Sequence, residues 1–376
     1  MLISQFYPVI GGAEKQAEKL ARALIRKGVH VEIMTQRFDK EWPSEEMIDG
    51  LRVRRFRILD LSRLGVNHRG SGPVNWLFRM AQISAIVKRA MVDFDVLHAH
   101  IASPMAYFGA KAARSTNKPV ICKIAAGGPY LDLVKVRNRS IFGQWFEKGL
   151  IKNVNKWIAV SDEIAGDLIS IGIPSSRVAK IPNGVEVPPL RKRERHYARR
   201  FLYLGRLTGD RDLTTLVAAF GQLVAQNEGC ELALVGDGET RIELARLVES
   251  TRLLNEKVHL VGFSEPDQWL EWADVLVQPS LSEGMSNAIL EAMARAVACI
   301  GNDIPPNREV LDNGEVGILV EPKNKDALKN AMKRLSMEEG LVDRLGIMGR
   351  IRVERHYDVN VIADQYIGLY EGLVRK

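Results

Sequence analysis

The sequence predicts an α/β fold built from two Rossmann-like domains. Strand-like and helix-like segments alternate along the chain, which is typical of parallel sheets covered by helices. A charged segment near residue 190 interrupts this alternation once, and a chain of 376 residues is too long for one ordinary hydrophobic core. With 46% apolar and 26% charged residues, the composition is that of a globular protein.

In the first half of the chain, a helix is predicted over residues 13–27 and a strand over residues 29–35. The helix carries Ala17, Leu20 and Leu24 on one face and ends before Gly28. Further apolar runs predict strands at 95–100, 119–124, 156–160 and 178–181. Only residues 2–5 precede the first glycine turn, so either the first strand is truncated or the start codon is placed too late.

The second half repeats the pattern. Strands are predicted at 201–205, 230–235, 257–261, 274–278 and 297–300. The predicted organisation is an N-terminal domain at 1–188, a basic linker at 189–200, a C-terminal domain at 201–357 and a final helix at 358–376 that returns to the first domain.

The net charge of +7 is divided unevenly. Residues 1–188 contain 28 Lys and Arg against 17 Asp and Glu, a net +11; the rest, 25 against 29, is net −4. The basic linker lacks the interleaved aromatic residues of a nucleic-acid platform, so no nucleic-acid partner is expected. The absence of a secretory leader and of a continuous apolar stretch of about 18 residues predicts a cytoplasmic protein.

Neither the cysteines nor the aspartates predict a metal site. Cys122, Cys230 and Cys299 lie singly in strand-like runs, as buried reduced thiols do. Asp93-Phe94-Asp95 has D-x-D spacing, but it precedes a strand, and ligands of parallel sheets bind at the opposite end.

The most informative segment is residues 279–294. Glu283 and Glu291 stand eight positions apart across a turn between a buried strand and a helix. Ligands of parallel sheets bind at such turns, where backbone amides hold phosphate and carboxylates accept hydrogen bonds from sugar hydroxyls. The segment therefore indicates a nucleotide-activated sugar as ligand.

Five motifs occur in order along the chain, each at a strand end: Gly11-Gly12-Ala13-Glu14, Pro182-Asn183-Gly184-Val185, Gly205-Arg206-Leu207, Gly236-Asp237-Gly238 and the segment from Glu283 to Glu291. Together they resemble the retaining glycosyltransferases of family 4, and the resemblance covers essentially the whole chain. It implies a GT-B fold, in which two Rossmann-like domains face a central cleft. It also implies metal-independent, cofactor-independent transfer from a nucleotide diphosphate sugar, with UDP expected, to a glycan or lipid-linked glycan in surface polysaccharide or glycoconjugate synthesis.

The resemblance gives Glu283 the donor-sugar hydroxyls and Glu291 the ribose. Gly284 allows close approach of the backbone. Amides within reach of sugar or phosphate oxygens belong to Met285, Ser286 and Asn287. The alternative for Glu291 is that it only complements the helix dipole.

Arg206 and Arg211 are expected to meet the diphosphate, where fixed cations stabilise the charge of the leaving group. Arg211 stands where the family usually has lysine, and Asp212 replaces the usual glycine. The alternative is an exposed ion pair of Arg211 with Asp210 or Asp212.

The remaining donor-binding candidates are glycines and an aromatic residue. Gly11 and Gly12 open the first helix, and by the resemblance Asn183, Gly184 and Gly236 also belong to the donor site. Neither Gly11 nor Gly236 begins a dinucleotide fingerprint, which disfavours an NAD enzyme. Phe263 stands where the family holds the nucleobase largely through backbone groups; the alternative is a core aromatic residue.

One residue departs from the family pattern on the catalytic side. Many members carry a histidine where this chain has Ala125, so its contact must be absent or supplied by the backbone of Gly127 and Gly128. His98 and His100 point to one face of the preceding strand, and His100 is the better catalytic candidate. The alternative for both is a core histidine.

The segment at 137–152 mixes aromatic, aliphatic and basic residues. With the +11 domain, it motivates the hypothesis of a lipid-linked acceptor and a helix docked peripherally on the anionic inner leaflet. The alternative is a helix packed on its own sheet. Two other functions stay open for the whole chain: a sugar-nucleotide epimerase of the same fold, and an inactive paralogue that binds sugar nucleotides.

Overall fold

The computed structural model describes residues 1–9, 11–58, 71–139, 141–190, 196–227 and 229–375. The chain forms two compact units, Met1–Gly184 with Val359–Lys376, and Val185–Asp358. It passes between them after Gly184, ahead of the predicted linker at 189–200, of which residues 191–195 lie outside the described ranges.

The first unit consists of strands and helices that largely alternate along the described chain. Its elements are α1 (Gly12–Arg26), β1 (Glu32–Gln36), β2 (Glu45–Ile48), β3 (Leu51–Phe56), α2 (Ser71–Ala90), β4 (Leu97–His100), α3 (Pro104–Ser115), β5 (Val120–Ile124), α4 (Asp132–Asn138), α5 (Gly143–Asn153), β6 (Lys156–Ala159), α6 (Asp162–Ser170) and β7 (Val178–Lys180).

The second unit follows without a break in the pattern. Its elements are β8 (Arg200–Leu204), α7 (Leu213–Val224), β9 (Glu231–Val235), α8 (Arg241–Glu249), α9 (Arg252–Lys257), β10 (Val258–Gly262), α10 (Pro266–Trp272), β11 (Val275–Gln278), α11 (Asn287–Met293), β12 (Ala298–Asn302), α12 (Pro305–Val310), β13 (Ile318–Val320), α13 (Lys325–Met337) and α14 (Leu341–His356). The final helix, α15 (Val359–Val374), belongs to the first unit.

Strands of the first unit form two groups, in the orders β1-β3-β2 and β4-β5-β6-β7. Leu2 makes parallel bridges to both Met34 and Ala99, so it lies between β1 and β4 and links the groups. The expected short first strand is reduced to this bridge. The hairpin of β2 and β3 was not predicted, because β2 is almost entirely exposed and shows no apolar alternation.

The second unit contains one parallel sheet in the order β10-β9-β8-β11-β12-β13. All its strands run the same way, so their carboxyl ends meet at one edge. Strand order reverses at β8, which pairs with β9 on one side and β11 on the other; ligands bind beside such a reversal in open parallel sheets. The predicted α/β class with two Rossmann-like domains is thus confirmed.

Each unit has its own apolar core. The core of the first includes Leu20 and Leu24 of α1 together with Ile362 and Tyr366 of α15, which anchors the last helix there. Lys27 and Asp364 add an ion pair of 2.8 Å between these helices. The three cysteines are buried and unpaired, as predicted.

Helix α14 approaches the end of α11 closely enough to require glycine. A Cβ atom on Gly346 would lie 2.3 Å from the carbonyl oxygen of Ala296, and one on Gly349 would lie 3.2 Å from Met293 Cγ. Because α11 carries Glu291, this contact helps to fix the helix that follows the 279–286 turn.

We expect Gly346→Ala to destabilise the protein by about 1–3 kcal/mol, because the added methyl group has no room beside the Ala296 carbonyl. Gly166→Ala is the matched control: it lies in α6 with open space around the position, so alanine should raise stability by roughly 0.5–1 kcal/mol. Urea unfolding measures both. A Gly346→Ala protein as stable as the parent would show that the helices separate without cost.

Candidate active site

The carboxyl-terminal edge of the second sheet brings together most of the residues singled out in the second half of the chain. Arg206 and Arg211 follow β8, Gly236 follows β9, Phe263 follows β10, and Glu283 follows β11. These four strands are neighbours in the sheet, so the loops that follow them are also neighbours.

The loops after β8 and β9 are packed backbone to backbone. Gly236 has φ +143°, and a Cβ atom there would lie 1.8 Å from the carbonyl oxygen of Gly205. A Cβ atom on Gly238 would lie 2.2 Å from the carbonyl oxygen of Leu207, whose amide donates to Asp237 O at 2.9 Å. Only glycine fits at 236 and 238 without rearrangement. Close packing of the two loops therefore explains why Gly236-Asp237-Gly238 faces Gly205-Arg206-Leu207 with glycines.

An ion pair between Arg211 and Glu283 joins the loops after β8 and β11. The same Arg211 nitrogen donates to Ser280 Oγ at 2.9 Å, and Arg211 Nε lies 3.5 Å from an oxygen of Asp210. The two side chains of the ion pair are only 13% and 12% exposed. The alternative pairing with Asp210, whose side chain is 38% exposed, is therefore also present, and it accompanies the more buried pair with Glu283.

The turn that carries Glu283 is held by residues that the sequence analysis did not single out. Gln278 Nε2 lies 3.3 Å from both Glu283 Oε1 and Ser280 Oγ. Asn302 Nδ2 donates to the carbonyl oxygen of Pro279 at 2.7 Å. The sequence contained a signal for both residues. Gln278 and Asn302 are the last residues of buried apolar strands, and a buried polar side chain must have a hydrogen-bond partner.

Burial and charge act in opposite directions on Arg211. Burial alone would lower its pKa, but the carboxylates of Glu283 and Asp210 raise the pKa above its ordinary value, so the guanidinium stays charged. Burial raises the pKa of Tyr203, which stays a neutral phenol and donates to the carbonyl oxygen of Arg206 at 2.7 Å. Arg206 itself is exposed at the edge.

The unexpected aspartate after Arg211 has a backbone reason. Asp212 has φ +49° and ψ 43°, the left-handed conformation that glycine adopts most readily and aspartate tolerates. It stands at the N-cap of α7, where Thr215 Oγ1 donates to its carboxylate at 2.8 Å. The departure at this position therefore keeps the geometry that a glycine would give.

After Glu283 and Gly284, the chain turns into α11. Met285 and Ser286 are buried, and Ser286 Oγ accepts the Ile289 amide at 3.4 Å as the N-cap. Helix α11 starts at Asn287, which makes Glu291 its fifth residue and leaves no acidic residue in its first turn. The alternative that Glu291 only complements the helix dipole is not supported, since that effect is confined to the first turn.

Phe263 is 81% exposed beside the end of β10. The alternative of a core aromatic residue is therefore wrong. The Phe263 ring is therefore accessible to a ligand at this edge of the sheet.

The candidates in the first unit lie in two places. Gly11 and Gly12 begin α1, but the Gly11 amide already donates to Glu14 Oε2 at 2.8 Å. Asn183 and Gly184 are the last residues before the chain enters the second unit. A Cβ atom on Gly184 would lie 3.0 Å from Val359 Cα, and Gln16 Nε2 donates to the Gly184 carbonyl at 3.0 Å, so this glycine is needed for packing.

His98 and His100 point to the same face of β4, as predicted, with ring centroids 4.2 Å apart. Both are almost fully buried, and His98 Nδ1 lies 2.8 Å from the Tyr370 hydroxyl. Burial lowers the pKa of His100 well below its ordinary value, and the nearby Lys123 lowers it further. These surroundings favour the core interpretation of both histidines over a catalytic role for His100.

At the position of the missing histidine, the backbone amides have carboxylate partners. The amide of Ala125 donates to Asp132 Oδ2 at 2.9 Å, and the amide of Gly128 donates to Asp167 Oδ2 at 2.6 Å. Burial raises the pKa of Asp132. The Gly128 amide is therefore already engaged, and Asp132 and Asp167 are polar residues that the sequence analysis missed.

The D-x-D aspartates precede β4, at the amino end of the strand, as the sequence indicated. Within the described ranges, no three His, Cys, Asp or Glu side chains are grouped as a metal site would need. Across the same residues, no helix combines the length and apolar character needed to cross a membrane.

Models of two known families together match almost the entire chain. Residues 10–187 match the model of Glycosyltransferase Family 4, and residues 198–338 match the model of Glycosyl transferases group 1. The two matches fall on the first and second halves, in the order that the motifs predict.

Curated relatives share about a quarter of their residues with this chain. The phosphatidyl-myo-inositol mannosyltransferase of Mycobacterium leprae is 26% identical over 99% of this chain and 96% of its own. The UDP-Gal:alpha-D-GlcNAc-diphosphoundecaprenol alpha-1,3-galactosyltransferase of Escherichia coli is 25% identical over 75% and 76%. The alpha-D-kanosaminyltransferase of Streptomyces kanamyceticus is 24% identical, but only over 46% of this chain and 45% of its own length.

Solved structures share the fold across the whole chain. The sucrose-phosphate synthase of Thermosynechococcus elongatus superposes with a TM-score of 0.76 at 21% identity, covering 99% of both chains. The Anabaena protein HepE in complex with UDP-glucose gives the same TM-score at 17% identity and the same coverage. With both family models matched in order and the fold shared throughout, this chain belongs to the group 1 glycosyltransferases of family 4 and has the GT-B fold.

Proposed function

We propose that this glycosyltransferase is a retaining, metal-independent enzyme. It moves a sugar from a UDP-sugar to a glycan or lipid-linked glycan in surface polysaccharide or glycoconjugate synthesis. The observation that carries the proposal is the partly buried ion pair of Arg211 and Glu283 at the carboxyl-terminal edge of the second sheet. It joins a cation suited to a diphosphate with a carboxylate suited to sugar hydroxyls.

In the proposed function, the donor binds by replacing the partner of each residue in the ion pair. Without a ligand, each charge of the pair compensates the other in a site from which water is largely excluded. A diphosphate can replace the carboxylate beside Arg211, and sugar hydroxyls can donate to the released Glu283. A ligand that carries only a phosphate or only a sugar would leave one buried charge uncompensated, so the pair favours a ligand with both groups.

The reaction proposed at this edge is a front-face displacement. The bond from the anomeric carbon to the diphosphate oxygen breaks, and the diphosphate leaves with the electron pair. The acceptor oxygen forms its bond to the same face of that carbon, and its proton passes to the departing phosphate oxygen. Arg206 and Arg211 stabilise the charge that develops on the diphosphate, so this step needs no metal ion.

The relatives support the donor and acceptor classes. One relative is named for UDP-Gal and a diphosphoundecaprenol acceptor, another for phosphatidyl-myo-inositol, and the HepE structure holds UDP-glucose. We extend these classes to this chain as a proposal: a UDP-sugar donor and an acceptor attached to lipid or glycan. Phe263 and Glu291 are then assigned to the uracil and ribose ends of the donor.

A nucleotide-sugar screen tests the proposal. Thermal unfolding is measured with UDP-, GDP- and ADP-sugars, and a UDP-sugar should raise the melting temperature more than UDP or free sugar. Incubation of that donor with lipid-linked acceptors in EDTA should then give a product with the anomeric configuration of the donor, determined by NMR. Inversion of configuration, or loss of activity in EDTA, would contradict the retaining and metal-independent assignments.

The same assay separates the alternatives. An epimerase would change or hydrolyse the donor with no acceptor present. An inactive paralogue would be stabilised by a sugar nucleotide and give no product with any acceptor.

Replacement of Glu283 by alanine should lower kcat by about 10²–10³, because the donor sugar loses a charged hydrogen-bond partner and Arg211 loses its compensating charge. Arg211→Ala should have a similar effect, and the double variant should lose little more than either single variant, because the two residues act as a unit. Glu243→Ala, on the exposed face of α8, is the control and should leave kcat unchanged. Normal turnover of Glu283→Ala would refute its role.

Phe263→Ala should raise the KM for the donor about tenfold with little change in kcat, because the exposed ring supplies a stacking surface for the base. Ile242→Ala, an exposed apolar residue of the same unit, should change neither constant. If Phe263→Ala keeps the parent KM, the side chain has no part in base binding and only the backbone at this position can serve.

A further inference from the structure

An apolar tip projects from the first unit between α4 and α5. It consists of Ile141, Phe142 and Trp145, which are 88%, 38% and 48% exposed. Ile141 in particular is almost as accessible as in an extended chain. Large apolar side chains exposed next to one another mark interaction surfaces more often than single ones do.

Helix α5 itself does not supply this surface with its apolar face. Phe146 and Leu150 are 1% and 0% exposed, and Phe146 packs with Tyr107 of α3 at a ring-centroid distance of 5.5 Å. The hypothesis of a helix lying flat on a membrane is therefore wrong for the apolar face of α5, which is packed inside the unit. The exposed apolar residues here are Ile141 and Phe142, which precede α5, and Trp145 in its first turn.

The tip has a rigid base. A Cβ atom on Gly143 would lie 1.9 Å from the carbonyl oxygen of Arg137, so α4 and α5 meet as closely as glycine permits. Arg137 and Glu147 form an ion pair of 3.7 Å between the two helices. Trp145 is fixed against Tyr107, with ring centroids 4.7 Å apart. Because its base is fixed, the tip loses little conformational entropy when it binds a partner.

The acidic and basic residues around the tip differ in burial. Residues 130–153 contain five cations and two acids. The acids, Asp132 and Glu147, are 5% and 9% exposed and make contacts within the unit. The cations are at least partly exposed: Lys135, Arg137, Arg139, Lys148 and Lys152. With five cations at least partly exposed against two buried acids, the surface around the tip is therefore positive.

We infer that the apolar tip and its cations dock on an anionic phospholipid bilayer. Apolar side chains at the centre can enter the interface between headgroups and acyl chains, and the surrounding cations meet lipid phosphates. Charge complementarity selects this occupant: a second copy of the chain would bring the same positive surface against itself. The inference rests on the proposed function only in its purpose, which is to bring the enzyme to a lipid-linked acceptor.

Co-sedimentation of the full chain with vesicles tests the inference. We expect binding to vesicles of equal parts phosphatidylglycerol and phosphatidylcholine, weak binding to phosphatidylcholine alone, and loss of binding as salt is added. Absence of binding to the anionic vesicles at low salt would overturn the inference. Binding of equal strength to both kinds of vesicle would also overturn it, because the cations would then have no role.

Variants separate the two contributions. Ile141→Ser should weaken the partition coefficient about tenfold, and Ile141→Trp should strengthen it, because position 141 enters the interface. Lys148→Gln and Lys152→Gln should each weaken it about fivefold. Val92→Ser is the matched control, since Val92 is a 76% exposed aliphatic residue of the same unit and should not change binding. Parent-like binding of Ile141→Ser would contradict the inference, as would dimerisation in solution that Ile141→Ser abolishes.

Vesicle binding and donor stabilisation are measured independently. Ile141→Ser should keep the parent response to the UDP-sugar and the parent rate with a water-soluble acceptor. If donor binding persists and vesicle binding fails, only the docking inference falls. If vesicles bind the tip and no sugar nucleotide is bound, the proposed reaction falls and the docking surface stands.

Discussion

The parallel alignment of β10, β9, β8 and β11 is the constraint on which the candidate site depends. It carries loops that are up to about eighty positions apart in the sequence to one edge of one sheet. The loops then interlock through glycine, since the backbones at Gly205 and Gly236 approach too closely for a side chain. Because the strands of this sheet are buried, they are a rigid support for the loops that carry Arg211, Glu283 and Phe263.

At this edge of the sheet, the ion pair of Arg211 and Glu283 affects the stability of the fold as well as the proposed binding of the donor. Taking two charges out of water costs free energy that their attraction repays only with good geometry and further hydrogen bonds. Ser280 and Gln278 supply those hydrogen bonds, and Asn302 holds the turn. Under the proposed function, Arg211 would bind the diphosphate and Glu283 the sugar of the donor, so the strength of their ion pair would influence donor selection.

The first unit uses its polar residues differently. His98 contacts the Tyr370 hydroxyl, and the amides of Ala125 and Gly128 donate to Asp132 and Asp167 of the same unit. Acids around α4 and α5 are drawn inward, whereas the neighbouring cations stay at the surface. One unit therefore presents charged side chains at an edge of its sheet, and the other presents a positive surface with an apolar tip at its centre.

By itself, the sequence determined the fold class, the family and the positions of the strands that carry the site. Buried parallel strands are visible in a sequence as short apolar runs, and the motifs that follow them are short contiguous segments. It could not give β2, an exposed charged strand formed only by pairing with β3. Nor could it pair Arg211 with Glu283, decide that Phe263 is exposed, or reveal the supporting amides, because these depend on contacts between distant segments. The tertiary structure alone decided that the acids at 130–153 are buried while the cations are at least partly exposed, because burial depends on packing between segments that are distant in the sequence.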